Sequence, residues 1–192
     1  MRTMAPTLRE LKKQRTRAAI QEAALRLIGE RGYDGTTCEQ IAAEAEVSPA
    51  TFFRYFPTKE DVVVTDDYDP LLAHAVSSRP RREGPLLAVR RGLAQTFALI
   101  GAEEMATVRS RTTLMLSVPA LRARMHEQTA SARDALAVAL APRMGRDLED
   151  LRVQSLAAAC AAALSVGVEH WAAHGGDLVA HVDQALAAIG DA

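Results

Sequence analysis

The sequence predicts an all-α protein with a small N-terminal helical domain and a larger C-terminal one. Three observations lead there. The 192 residues are 48% apolar, 24% charged and 4% aromatic, and Ala, Leu, Arg and Glu, all strong helix formers, dominate. Apolar residues recur at three- and four-residue spacing, and no alternating strand-like run bounded by hairpin turns interrupts them. Prolines and cap residues fall where such helices would start and stop.

The composition also excludes several classes. Near-half apolar content with a net charge of −1 argues for a folded chain and against disorder. No apolar run reaches the roughly 18 uncharged residues expected of a membrane span. Residues 1–17 are polar and basic with no apolar stretch after them, so no signal peptide is expected. Cys38 and Cys160 lie far apart and suit a reducing compartment, which makes the cytoplasm the default. Charge is unevenly placed. Residues 1–20 carry six basic groups (Arg2, Arg9, Lys12, Lys13, Arg15, Arg17) against Glu10, whereas residues 147–192 carry seven acids against Arg152. Two readings fit this head: a solvated terminus, or an element that approaches a polyanion.

Ile20, Ala23, Ala24, Leu27 and Ile28 form the buried stripe of a first helix over residues 8–31, ended by Gly32. Thr36 with Glu39, or Thr37 with Gln40, offers a capping box for a short second helix carrying Ile41, Ala42 and Ala45. Glu46 and Val47 make a tight connection. Ser48 then caps a third helix, with Pro49 at its first position and Phe56-Pro57 as its stop. Thr58 and Asp61 cap a fourth helix, expected to run from 59 to about 76. Two short helices joined by a tight turn behind a longer one make a helix-turn-helix layout.

Beyond it, Pro, Gly and Ser mark a loop over 77–85. Its Arg79, Arg81 and Arg82 read either as a solvated turn or as a contact for an anion. Helices are expected over about 86–100, 103–116, 119–140, 148–173 and 177–189. The fourth of these carries an Ala-rich surface around Cys160 that lets another helix approach closely.

Gly32-Tyr33-x-x-Thr36-Thr37, then Ile41-Ala42-x-x-Ala45-x-Val47-Ser48, then Thr51-Phe52-Phe53-Arg54-Tyr55-Phe56-Pro57-x-Lys59-Glu60 resembles the TetR family of transcriptional regulators. The resemblance implies a DNA-binding domain over 1–58, with a basic arm, and a ligand-binding and dimerisation domain over 59–192. The implied protein is a ligand-responsive repressor acting as a homodimer through its last two helices, on a palindromic operator. The two readers would then meet half-sites about one helical turn apart or more.

Within that frame, Ser48, Pro49, Ala50 and Arg54 lie where a recognition helix meets base edges, with Arg54 the best guanine reader. Thr37, Tyr55 and Lys59 are candidates for phosphate contacts. Phe53 stands where the family often has tyrosine, so one phosphate-binding hydroxyl is missing. Phe52 and Phe56 fall on one face and read as core. Leu93, Phe97, Met105, Met115, Leu116, Met125 and Trp171 are candidates to line an effector tunnel, with core packing as the alternative for each. Arg109, Arg111 and Arg122 are either exposed or poised for an anionic head group. Val118-Pro119-Ala120-Leu121-Arg122-Ala123-Arg124 and Gly175-Gly176-Asp177-Leu178 add a looser resemblance to the mycofactocin-type TetR subgroup, which implies an acyl-CoA or similar amphiphile.

No phosphate loop, nucleophile elbow or paired-cysteine zinc pattern is present, so neither an enzyme nor a cofactor is expected. His170 and His174, spaced i and i+4, are the best metal candidates, but Gly175-Gly176 places His174 in a last helical turn, where a cation is favoured anyway. A helical adaptor that has lost DNA binding is the alternative class. The co-occurrence of Thr37, Ser48, Arg54, Tyr55 and Lys59 argues against it.

Overall fold

A computed structural model describes residues 7–65 and 68–190; Arg2 of the basic head lies outside them. Among the described residues there are ten helices and no strands. The chain divides between Thr65 and Asp66 into two compact units.

The first unit holds α1 (Leu8–Arg31), α2 (Cys38–Glu44), α3 (Pro49–Tyr55) and α4 (Lys59–Val64). Its core joins Ile20, Ala24 and Leu27 of α1 to Ile41, Phe52 and Phe56. Val62 is buried in the same cluster, which places α4, assigned from the sequence to the larger domain, with the first unit. Gln21 reinforces this by donating to the carbonyls of Val62 (3.3 Å) and Thr65 (2.7 Å) at the end of α4. The turn between α2 and α3 closes with Val47 N–H donating to Ala42 O at 2.9 Å. Glu46 in that turn takes a left-handed conformation (φ 54°), uncommon for a residue with a side chain.

The second unit holds α5 (Tyr68–Ser77), α6 (Pro85–Phe97), α7 (Ala102–Ser117), α8 (Pro119–Met144), α9 (Leu151–His174) and α10 (Leu178–Gly190). The single helix expected over 59–76 is two. Val62, Val63, Val64 and Thr65 are all β-branched and poor at prolonging a helix, and Thr65 leaves it in an extended conformation. The helix expected to end before Pro142 runs on to Met144 with Pro142 in its last turn, and Gly145 (φ 60°) is the stop.

Close packing in the second unit centres on α9, which touches α8, α10 and α7. At Gly167 a Cβ would lie 2.8 Å from Val182 Cα, so only glycine lets α9 and α10 approach this closely. By length and composition α9 is apolar enough to cross a membrane; here its Val153, Ala157, Cys160 and Trp171 are buried among the other helices.

Arginines fix the loop between α5 and α6. Arg143 donates to the carbonyls of Val76, Arg79, Pro80 and Glu83 at 2.6–3.1 Å. Glu83, buried, accepts a bidentate pair from Arg79 at 2.9 and 2.7 Å and a third bond from Arg91 at 2.7 Å. Arg79 is therefore spoken for, while Arg81 and Arg82 are exposed. Hydrogen bonds from Arg79, then Arg91, hold the Glu83 carboxyl down from 4.5 to about 2. A depressed folded-state value stabilises the fold above the ordinary value and is lost as pH falls through the depressed one. Wild type is thus expected to melt above Glu83→Gln at neutral pH, and the gap should close between pH 4.5 and about 2. A gap that stays constant over that window would mean the charge on Glu83 is not what holds the loop.

Candidate nucleic-acid interface and effector cavity

The third helix is short, and its ends are fixed from within the first unit. Ser48 caps it, accepting from Thr51 N–H at 3.1 Å and donating to Thr51 Oγ1 at 3.0 Å. Phe52 and Phe56 anchor its inner face at 0% and 1% exposure. That leaves Ser48, Pro49, Ala50, Phe53 and Arg54 exposed, with Ala50 and Arg54 neighbours at i and i+4. The Arg54 guanidinium lies 5.6 Å from the Tyr55 ring centroid. Phe53 was not singled out for contact by the sequence; it meets Phe52 edge-on at 5.2 Å yet is 45% exposed.

The three expected phosphate contacts differ. Thr37 caps α2 in a reciprocal box with Gln40 (3.3 and 3.0 Å) and is exposed. Tyr55 packs its ring against the N-terminal core and its hydroxyl makes no hydrogen bond among the described residues. Lys59 is the most committed: its ammonium donates to Tyr33 O at 2.8 Å and Thr36 O at 3.0 Å and sits 4.0 Å from the Tyr33 ring centroid. Tyr33 in turn donates to Glu60, an interaction that lowers the Glu60 carboxyl; burial first, and then this bond, raises the Tyr33 phenol. Lys59 thus ties the α1–α2 loop to α4. Arg9, Lys12, Lys13 and Arg15 project into solvent from α1. Arg17 lies 5.1 Å from the Phe56 ring centroid.

In the second unit a cavity of about 140 Å³ lies among α5 to α10. Phe97, Met115 and Met125 line it, as the sequence suggested. The other candidates lie elsewhere. Leu93 and Trp171 are buried in the core, and the Trp171 indole donates to Gly176 O at 3.1 Å. Met105 and Leu116 pack against that core from its edge. Arg109 is exposed and donates to Ala172 O at 3.3 Å. Arg122 is exposed and donates to Leu116 O. Arg111, read from the sequence as either exposed or poised for an anionic head group, faces the cavity together with Thr112, Gln128, Thr129 and Ser165.

The thiols and histidines offer less. Burial pushes the Cys160 thiol up to about 11, and burial followed by Glu39 raises Cys38, which leaves both poor nucleophiles. The rings of His170 and His174 stack at 4.1 Å, and His181 lies 5.2 Å from His170. Among the described residues no group of three or more His, Cys, Asp or Glu is arranged to hold a metal ion.

Residues 20–64 match the family of bacterial regulatory proteins, tetR family, and residues 83–192 match the MftR C-terminal domain. The HTH-type transcriptional regulator TcmR of Streptomyces glaucescens is 35% identical over 156 residues, covering 76% of this chain and 67% of that protein. The HTH-type regulator EthR of Mycolicibacterium smegmatis is 34% identical over 109 residues, 53% of this chain and 48% of that protein. Among solved structures, FadR of Thermus thermophilus, a TetR family transcriptional repressor in complex with lauroyl-CoA, is 28% identical with a TM-score of 0.54, covering 89% of this chain and 91% of that one.

Proposed function

Because this chain belongs to the TetR family of transcriptional regulators, we propose that it represses transcription from a palindromic operator as a homodimer and leaves the DNA when an effector fills the C-terminal cavity. The observation that carries the reading is α3: a helix capped by Ser48 and anchored by Phe52 and Phe56 that turns Pro49, Ala50 and Arg54 outward. Exposed residues in that pattern have no packing role, and their order suits a helix laid in a major groove. Arg54 reads guanine, Pro49, Ala50 and Phe53 offer apolar contact to a thymine methyl, and Thr37 and Tyr55 set register on phosphates. Lys59 adds one remaining N–H and its charge. The first unit is the DNA reader and the second the effector and dimer domain. It acts where the DNA is, in the cytoplasm.

Dimerisation is assigned to the outer faces of α9 and α10. Leu151 and Val166 of α9 are 79% and 60% exposed, with Ala158 and Ala162 between them on the exposed side. A second copy of the same helix pair would cover this small-residue surface, giving a two-fold contact. The effector is an apolar or amphiphilic small molecule; the lauroyl-CoA held by the Thermus repressor makes acyl-CoA the first compound to try. Effector binding shifts the population towards a dimer whose recognition helices no longer match the half-site spacing.

Selecting bound sequences from a random duplex library, with and without lauroyl-CoA, tests this. An enriched palindrome supports the regulator, and its release by lauroyl-CoA supports the acyl effector. An absence of any enriched sequence would favour the adaptor. On the selected operator, Arg54→Ala is expected to cost about 1–3 kcal/mol and to relax preference at one base position. Unchanged affinity and unchanged preference would remove Arg54 from the base-reading set.

A further inference from the structure

We infer that the C-terminal cavity selects a compact, uncharged aromatic ring, a guest of about toluene's size and polarity. This rests on the reading of the cavity as the effector site and narrows its ligand class. Size sets the first limit. At about 140 Å³ the cavity is close to an engineered apolar void of about 150 Å³ that holds benzene. The fit is to one six-membered ring with a small substituent, and a lauroyl chain has roughly twice the carbons of such a guest.

Charge sets the second limit. The wall carries Arg111 and no Asp or Glu, but a Glu169 carboxylate oxygen lies 2.9 Å from the wall hydroxyl of Ser165. A carboxylate guest is opposed by Glu169 and an ammonium guest by Arg111, so neither recovers the hydration it gives up on entering. The hydrogen-bond donors of the wall are engaged inside the protein. Thr112 donates to Val108 O at 2.9 Å, Thr129 to Met125 O at 3.0 Å and Ser165 to Glu169 Oε1 at 2.9 Å, and Arg111 and Gln128 each have a partner as well. An uncharged apolar guest leaves those interactions in place, whereas a polar one competes with them.

The apolar part of the wall favours an aromatic ring. Phe97 of α6 offers an aromatic face or edge, and Met115 of α7 and Met125 of α8 offer thioethers. Contacts of a guest ring with either kind of group add to the burial of its area. The unbranched methionines also adjust to a ring substituent. Ala132 of α8 and Ala161 of α9 border the void with methyl groups only, which leaves the room the ring needs.

The test uses the full chain and isothermal titration with toluene, benzoate, benzylamine and lauroyl-CoA, the first three being one ring with a neutral, a negative and a positive substituent. Toluene is expected to bind at least about 10-fold more tightly than benzoate or benzylamine. Ala161→Leu, which fills the void, is expected to weaken toluene by about 10-fold or more. Far-UV circular dichroism shows whether Ala161→Leu is folded, and if it is not, Ala132→Leu fills the same void from α8. Benzoate or benzylamine binding as tightly as toluene, no binding of toluene, tighter binding of lauroyl-CoA than of toluene, or unchanged toluene affinity in the folded void-filling variant would overturn the inference. Operator release is read separately: toluene that binds with the expected selectivity but leaves the DNA complex intact supports the ligand class and counts against the cavity as the effector switch.

Discussion

Phe52→Ala is expected to abolish operator binding by unfolding the first unit, with effector binding in the second unit kept. Phe52 is fully buried, edge-on to Phe53 at 5.2 Å and 6.3 Å from Phe56. Truncating a buried phenylalanine costs about 3–5 kcal/mol. A unit of this size with one hydrophobic core has roughly 3–5 kcal/mol in total, so the loss is as large as the stability itself. Each kcal/mol moves the melting temperature of so small a unit by roughly 4–8 °C. The N-terminal transition should therefore drop by tens of degrees in a circular dichroism melt. Phe52→Leu, which keeps most of the volume, should recover part of both melting temperature and DNA affinity. Full operator affinity in Phe52→Ala would mean that the recognition helix does not depend on this core.

The N-terminal unit was the most legible part of the sequence because its signals are local. Ser48 before Pro49, and Thr58 three residues before Asp61, mark helix starts within a span of four residues, and the caps form as those residues suggest. Signals that depend on distant partners were not legible. Lys59 reads as a phosphate contact, and no local signal shows that its ammonium also donates to acceptors 26 and 23 residues earlier, at Tyr33 and Thr36. The helix expected to run on past Val64 shows another limit. The buried Val62, Val63 and Val64 keep an apolar pattern that resembles continued helix, while their branched side chains favour the extended backbone seen at Thr65.

The cavity divides in the same way. Phe97, Met115 and Met125 are large, adaptable apolar residues on helix stripes, so they were legible as possible lining. Leu93 and Trp171 have the same appearance in sequence but are core, because which part of a stripe meets a void depends on how several helices cross. Arg111 and Arg109 are two residues apart on α7 and so face different directions; one reaches the cavity and the other the end of α9.

Trp171 makes that distinction testable. Its ring is 2% exposed within the main core, and its indole N–H donates to Gly176 O across the turn where Gly175 and Gly176 both take positive φ (77° and 87°). That bond and ring set how α9 leads into α10. Trp171→Ala is expected to cost about 3–5 kcal/mol. Trp171→Phe should cost less, about 1–3 kcal/mol, mostly from the Gly176 carbonyl left without its donor. Because the ring does not line the cavity, the Phe variant should titrate with effector as wild type does. Because α9 and α10 carry the proposed dimer face, the Ala variant should also dissociate at higher protein concentration in sedimentation velocity. A fall in effector affinity with unchanged melting temperature would instead return Trp171 to the binding wall, and the angle between the last two helices would then need another explanation.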